Sequence, residues 1–364
     1  MDDFVNQTML TCLGNKRKLV ENIFDIVKEV SVGLSKEKLN IFDGFSGSSV
    51  VSRKLSFLAD NLYINDMEKY AYYMGKCFLQ TPDSTTQERI RFHINKMNQL
   101  AEQGPFIEGI ISNLYSPKNT KDIQEEERCF YTRENALIID TLRKYIEDNV
   151  EPELEVYCLV PLLTKASIHT NTAGVFKGFY KKGTKGCFGG AGEFALSRIM
   201  KPIRIEMPIW NQESHFTAHC YNGDINDVIT QLPDNFDVIY LDPPYNQHPY
   251  GSNYFMLNVI IENKEPQNIS KVSGIPSNWN KSNYNKRINA IKSMKHLLEN
   301  ATQKTKYVLL SYNNEGIINM DDWKDIFKDY KVKKYEIDYN TYKGSRNLAN
   351  RSKKVVEIMY LISK

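Results

Sequence analysis

The 364-residue chain lacks any long apolar run. Its longest, residues 156–163 with Pro161 counted in, falls far short of the roughly 20 apolar residues a membrane-spanning helix needs. The start, Met1-Asp2-Asp3-Phe4, has neither the basic nor the apolar stretch of a secretion signal. Cysteine is sparse: six thiols, at positions 12, 77, 129, 158, 187 and 220, include no Cys-x-x-Cys pair. That pattern argues against a zinc site and for reduced thiols in the cytoplasm. His215 and His219 stand four apart, but no third ligand follows at a recognisable spacing, so they read as ordinary polar residues. Nor is one sign of charge in excess, because the formal net charge is only +3. What remains is a globular chain, 41% hydrophobic and 25% charged, with room for one large domain carrying an insertion or for two domains.

The chain is organised around Asp237-Val238-Ile239-Tyr240-Leu241-Asp242-Pro243-Pro244-Tyr245. The apolar run has the length and residue types of a buried strand. Pro243 and Pro244 have no N–H to give to a sheet and fix φ at about −65°, so the strand stops there. A carboxylate, backbone carbonyls and a phenol ring are thereby presented at the carboxyl end of a strand, where ligands of open α/β sheets bind. Hydrogen-bond acceptors beside an aromatic face suit an exocyclic amine on a flat heterocycle, such as that of adenine. A strand followed by a Pro-rich turn accounts for this segment equally well when it is taken alone.

Other segments add to it. Leu39 to Asp43 reads as a short strand, Gly44-Phe45-Ser46-Gly47 as a small-residue turn, and a helix is expected from near Ser48. About twenty residues on, Asn65-Asp66 follows Leu62-Tyr63-Ile64, where an acid can take ribose hydroxyls in nucleoside-binding units. Near the start, Leu13-Gly14-Asn15-Lys16 precedes a helix with Leu19, Val20, Ile23, Phe24, Ile26, Val27 and Val30 largely on one face. Helices are expected over 133–150 and 281–299, and over 157–167 a buried helix or a strand. Strands are expected over 307–312, 332–339 and 354–363, the last two as an antiparallel hairpin closed by a loop with Lys343, Arg346 and Arg351. Between residues 165 and 204 stand eight Lys/Arg against the single acid Glu193, interleaved with Phe176, Phe179, Tyr180 and Phe188. Such a block suits a surface facing phosphates, and also a solvated basic face.

In order and spacing, Leu13-Gly14-Asn15-Lys16, Asp43 to Ser49, Asn65-Asp66, Gly223-Asp224 and Asp242-Pro243-Pro244-Tyr245 resemble the Dam-type adenine-specific DNA methyltransferases. The segment Asn171-Thr172-Ala173-Gly174-Val175-Phe176 and the strand end Ser311-Tyr312-Asn313 are also similar. Two positions depart from that family: Ser49 stands where it usually has a second glycine, and Cys12 where it usually has an aromatic. The resemblance implies a Rossmann-like, seven-stranded mixed α/β sheet made of residues 1–84 and 216–364, with 85–215 as an inserted, largely helical target-recognition region.

It further implies S-adenosylmethionine bound by Leu13, Gly14, Asn15, Lys16 (near the cofactor's carboxylate), Asp43, Gly44, Phe45, Ser46, Gly47, Asn65, Asp66, Asp224 and Asp242. Methyl transfer to a flipped adenine of double-stranded DNA would fall to Asp242, Pro243, Pro244 and Tyr245. Contacts to DNA would fall to Asn171, Lys177, Lys181, Lys182, Lys185, Asn246 and Tyr254. A cognate restriction endonuclease acting separately is an implied partner, and no membrane is. An RNA-adenine or cytosine-amine methyltransferase and a non-catalytic DNA-binding relative remain open alternatives. A glutamine-amide methyltransferase is disfavoured, since that chemistry resembles an Asn-Pro-Pro-Tyr motif and Asp242 stands here.

Overall fold

A computed structural model describes residues 2–7, 10, 14, 16–190, 192–193, 195–213, 215–340 and 354–364. Seven strands form the main sheet: β1 (Leu39–Asp43), β2 (Ala59–Asp66), β5 (Thr217–Asn222), β6 (Phe236–Leu241), β7 (Thr305–Asn313), β8 (Lys331–Asn340) and β9 (Lys354–Ser363). Two more, β3 (Lys181–Lys182) and β4 (Lys185–Gly186), make a small separate hairpin. The sheet order is β5-β2-β1-β6-β7-β9-β8. The first five are parallel, and β9 runs antiparallel to both of its neighbours. From β1 the chain winds outward through β2 to β5, then returns to β6 on the other side of β1. The switch point between β1 and β6 is where an open sheet leaves a crevice at its carboxyl edge. Asp43 ends β1 and Asp242 follows β6, so both stand on that crevice.

Two apolar layers cover the sheet. On one face helix Val20–Leu34 buries Ile23, Ile26, Val27 and Val30, the face its spacing predicts. Helices Val50–Leu55 and Lys69–Leu79 and most of the inserted helices join the same core. On the other face Ile225, Ile229, Met294, Leu297 and Trp323 pack on Phe42, Ile239, Leu241 and Leu310. Strand β6 is buried along its whole length, as its unbroken apolar run requires.

Helices take up less than half of residues 85–215, fewer than the largely helical region expected, because the glycine-, proline- and lysine-rich stretches 104–132 and 169–190 run mostly as loops and a short hairpin. The region shares a core with the sheet, with Ile90, Ile94, Ile139, Leu142 and Leu159 in one cluster with Ile23, Leu62 and Met74. Its longest helices are Ser84–Gln103, Arg133–Asn149 and Glu155–Ile168. Asp83 and Thr132 cap the first two by accepting from the N–H of Thr86 and Asn135, at 2.7 and 3.1 Å. Residues 157–167 are helical, with Pro161 inside the helix. The expected helix over 281–299 is displaced: a 3-10 turn at Asn283–Asn285 precedes the α-helix Arg287–Lys304. Tyr284 and Asn285 are drawn out of helical register by bonds to Asn226 Oδ1 (2.7 Å) and the Asn246 carbonyl (2.7 Å). The terminal strands fall within a residue of their expected bounds. Lys343, Arg346 and Arg351 lie outside the described residues, as do Cys12, Leu13 and Asn15. His219 sits on β5 with its ring stacked on Tyr63 at 4.2 Å, and no group of acids, cysteines and histidines among the described residues could hold a metal ion. No helix among them is long and apolar enough to cross a membrane.

Candidate active site

The carboxyl ends of β1, β2, β5 and β6 are laced together by backbone and side-chain hydrogen bonds. Gly44 N–H donates to the Tyr240 carbonyl at 2.9 Å, and Ser46 N–H to that of Asn65 at 2.9 Å. The Asn65 amide donates to the carbonyls of Gly44 (3.3 Å) and Gly223 (3.1 Å), tying the turn after β1 to the one after β5. Asp66 accepts from Gly47 N–H and Glu68 N–H, both at 2.8 Å. The turn enters its helix through left-handed residues, Gly47 at φ 50° and Ser49 at φ 60°.

Around these ends opens a cleft with about 980 Å³ of empty space, its mouth included. Such a size suits a nucleoside-sized ligand. Asp43, Phe45–Gly47 and Asp66–Glu68 line one side, Asp224 and Ile225 another, and Asp242, Pro244 and Tyr250 a third. Asn280, Ser282, Tyr284 and Asn285 complete the wall. This last segment is held by the Asn280 amide donating to the Met67 carbonyl at 3.1 Å and by the two bonds that displace the 281–299 helix.

The cleft is acidic. Burial pushes the carboxyls of Asp43 and Glu68 up to about 7 and those of Asp66 and Asp242 up to about 6. For Asp43 a 2.5 Å hydrogen bond from Ser52 Oγ partly opposes the rise, and for Asp66 the backbone N–H groups do. For Asp242, Lys16 pulls down and Glu357 pushes up. Lys16 is the one cation among the described residues that line the cleft. The hydroxyl of Ser46 and the side-chain oxygen of Asn65 are buried in the walls without a hydrogen-bond partner. A small polar ligand carrying positive charge fits this set of groups.

Lys16 reaches the edge of the cleft and is held there by an internal ion pair. Its ammonium lies 2.7 Å from Asp242 Oδ1, 3.2 Å from Glu357 Oε1 and 3.3 Å from the Gly14 carbonyl. Those acceptors match its three N–H groups, and Lys16 also lines the cleft. Gly14 has φ 74°, and a Cβ there would meet the hydroxyls of Tyr250 and Tyr245 at 3.1 and 3.2 Å. Glycine lets this turn lie against the catalytic-loop candidates. Tyr245 is half-buried outside the cleft lining, with its ring edge-on to Tyr312 at 6.4 Å and its carbonyl accepting from Ile317 N–H.

Asp224 caps helix Ile225–Gln231 through Asn226 N–H at 3.0 Å while still lining the cleft. Lys177, Lys181, Lys182 and Lys185 are exposed, the last three on the β3–β4 hairpin. Asn246 is half-buried and uses its side-chain oxygen to hold a turn to His248 N–H. Two expected DNA contacts are corrected. Asn171 is fully buried: its amide donates to the carbonyls of Cys129 (2.8 Å) and Cys187 (2.9 Å), and its oxygen accepts from Gly189 N–H (3.1 Å). It fastens the base of the basic loop and faces no partner. Tyr254 is 1% exposed, stacked on Tyr250 and tilted against Tyr70 inside the core. Sequence reasoning passed over Glu68, Tyr250, Asn280, Tyr284, Asn285 and Glu357. Only Glu68 and Tyr250, each within a few residues of a motif, carried a signal that could have found them.

The profile describing D12 class N6 adenine-specific DNA methyltransferases matches residues 13–326. The chain is 28% identical to the type II methyltransferase M.CviAII of Paramecium bursaria Chlorella virus 1, over 87% of each chain. It is 25% identical to the type II methyltransferase M.NlaIII of Neisseria lactamica, over 97% of this chain and 98% of that one. With the type II methyltransferase M.FokI of Planomicrobium okeanokoites it shares 26% identity over 91% of this chain and 49% of the other.

Proposed function

The chain belongs to the D12 class of N6 adenine-specific DNA methyltransferases, and from that premise we propose that its cleft takes S-adenosylmethionine and delivers the methyl to an adenine held by Asp242-Pro243-Pro244-Tyr245. The acidity of the cleft carries this reading: Asp43, Asp66, Glu68, Asp224 and Asp242 line it against Lys16 alone among the described cations. S-adenosylmethionine brings a sulfonium and an ammonium, and its sulfur-bound methyl is the electrophile. Asp43 and the turn to Gly47 surround the methionine part. Asp66 accepts from the ribose hydroxyls, and Asp224 accepts from the adenine amine. Ile225, Phe45 and Tyr284, the two rings meeting edge-on at 5.3 Å, form the apolar walls of that slot.

On the substrate side the target base leaves the duplex, which costs a few kcal/mol. Tyr245 stacks on it and returns about 1–3 kcal/mol. The Asp242 carboxylate and the Pro243 carbonyl accept the two hydrogens of the amine and aim its lone pair at the methyl. Positioning and hydrogen-bond polarisation supply the catalysis, and no covalent cysteine is required. Lys177, Lys181, Lys182 and Lys185 meet phosphates, which gives affinity without sequence choice. Cofactor motifs preceding the catalytic motif make this the Dam-type arrangement. Resemblance to type II methyltransferases supports a role in restriction–modification, marking DNA against a separate cognate endonuclease.

Transfer of labelled methyl from S-adenosylmethionine to mixed-sequence duplex DNA, followed by nucleoside analysis, tests the reading. N6-methyladenine is the expected product. Asp242→Ala is expected to lower kcat about 10²–10³-fold or more while the Kd for S-adenosylmethionine stays within about threefold. The protein tolerates this change because Lys16 keeps Glu357 as a counter-charge. Loss of both properties in a folded variant would overturn the division of roles.

A further inference from the structure

Glu357 is a buried carboxylate, 1% exposed, that the mechanism above does not use. It sits near the start of β9, opposite Asn313 at the end of β7, and so at the carboxyl edge of the parallel strands. Its Oε1 accepts from Ser311 Oγ at 2.7 Å and faces Lys16 Nζ at 3.2 Å. Ser311 is itself fully buried. The result is a chain of four side chains, Ser311–Glu357–Lys16–Asp242, running from the sheet interior to the motif. A buried ion pair seldom stabilises a fold better than apolar residues of the same volume. A second carboxylate on one lysine therefore asks for a reason in the chemistry.

Asp242 supplies that reason. Its Oδ1 is the atom that Lys16 occupies, and on the reading above the incoming amine draws on the same carboxylate. With Asp242 as the sole partner of Lys16, freeing that oxygen would leave a bare ammonium in a buried site, a costly state. We propose that Glu357 is a positioning residue that keeps Lys16 when the target amine takes over Asp242 Oδ1. The ammonium moves along the line between two carboxylates that already share it, and Ser311 fixes the far one. This rests on the reading of Asp242 as the acceptor of the amine.

Glu357→Gln keeps the shape and an oxygen for Ser311 and removes the charge. The groups facing Asp242 are Lys16 from the amino-terminal turn, Asp43 from β1, Tyr240 from β6, Tyr250 from the loop that follows it and Glu357 from β9, with Tyr245 beside Lys16 and Tyr250. Of these only Glu357 is changed. The expected result is a kcat lower by on the order of 10–100-fold, as for outer partners of other sites. KM for DNA and Kd for S-adenosylmethionine should stay within about threefold, because Glu357 is not a cleft-lining group. The acid limb of the kcat profile should move to lower pH, since a like charge is gone and Lys16 belongs to Asp242 alone. Glu357→Asp, which retains the charge, should recover part of kcat. In a Lys16→Met background the Glu357→Gln effect should largely vanish.

A Glu357→Gln enzyme with wild-type kcat and pH profile would overturn the inference, as would an effect that persists in full without Lys16. Asp242→Ala, assayed alongside, separates the two ways of failing. If it stays active the reading of the motif is wrong, and if it is dead while Glu357→Gln is normal only the role of Glu357 is wrong. Should Glu357→Gln not fold, Ser311→Ala loosens the same carboxylate: a severalfold drop in kcat supports the role and an unchanged kcat overturns it.

Discussion

Ser49 holds a left-handed backbone, φ 60° and ψ 18°, while fully buried at the entry to helix Val50–Leu55. For a residue with a Cβ this conformation costs about 1–2 kcal/mol. Its hydroxyl gives nothing back, being buried without a hydrogen-bond partner. Ser49→Gly should therefore stabilise the protein by about 0.5–1 kcal/mol, the relief of strain exceeding the added freedom of the unfolded chain. The midpoint of urea unfolding measures this, and a lower midpoint would contradict it. At this scale the sequence exposes residues whose role follows from where a strand stops. Asp43 and Asp66 each end a strand, Asp242 directly follows one, and all three are in the cleft. It does not expose residues whose role comes from a distant partner. Glu357 reads as one polar residue in an apolar strand, and nothing local says that it faces Lys16, 341 positions away. Asn171 and Tyr254 mislead in the opposite sense, since side chains suited to DNA contact turned inward to hold a loop and fill the core.

Among the elements, the β3–β4 hairpin is the most exposed piece of the basic block. Gly183 at φ 64° makes its two-residue turn, and Asn171 secures its base. The run of Lys and aromatics made a basic surface legible, but not which cations would be available: Lys165 pairs with Glu206, and Arg198 donates to the carbonyls of Ile168 and Thr170. Replacing Lys181, Lys182 and Lys185 together by Ala should weaken binding to cognate and unrelated duplexes alike. The slope of log affinity against log salt should flatten by about 0.9 for each phosphate left without its lysine. Binding titrations across a salt series report both effects. A selective weakening at the cognate site would mean that these lysines read bases. The segment around Tyr284 is the element sequence reasoning missed, because its place is set by tertiary bonds to Asn226 and Asn246 that override a helical pattern.

For the molecule as a whole, the acidic cleft couples folding to pH and to the ligand. Asp43, Asp66, Glu68 and Asp242 have folded-state pKa values of about 7, 6, 7 and 6, above those of free carboxyls. The folded chain thus holds these protons more tightly than the unfolded one. Their contribution to stability is complete below about pH 4 and is lost as pH rises through 6 and 7. A cation bound among ionised carboxylates reverses that loss. The rise in Tm produced by S-adenosylmethionine should therefore be larger at pH 8 than at pH 5, with proton release on binding near pH 6. Thermal unfolding with and without the cofactor at both values decides it, and a pH-independent shift would refute the coupling. The order of the sheet follows from alternating strands and helices, whereas the single antiparallel strand inside it depends on which edge a terminal hairpin chooses.

Strand β9 follows every other strand along the chain yet lies between β7 and β8. During translation, β7 waits with an apolar, unpaired edge from Val308 to Asn313 until β9 leaves the ribosome. At about 5–20 residues per second that exposure lasts several seconds. Throughout this interval Lys16 and Asp242 have no Glu357 beside them. The Ser311–Glu357–Lys16–Asp242 network is therefore completed last, when β9 takes its place between β7 and β8.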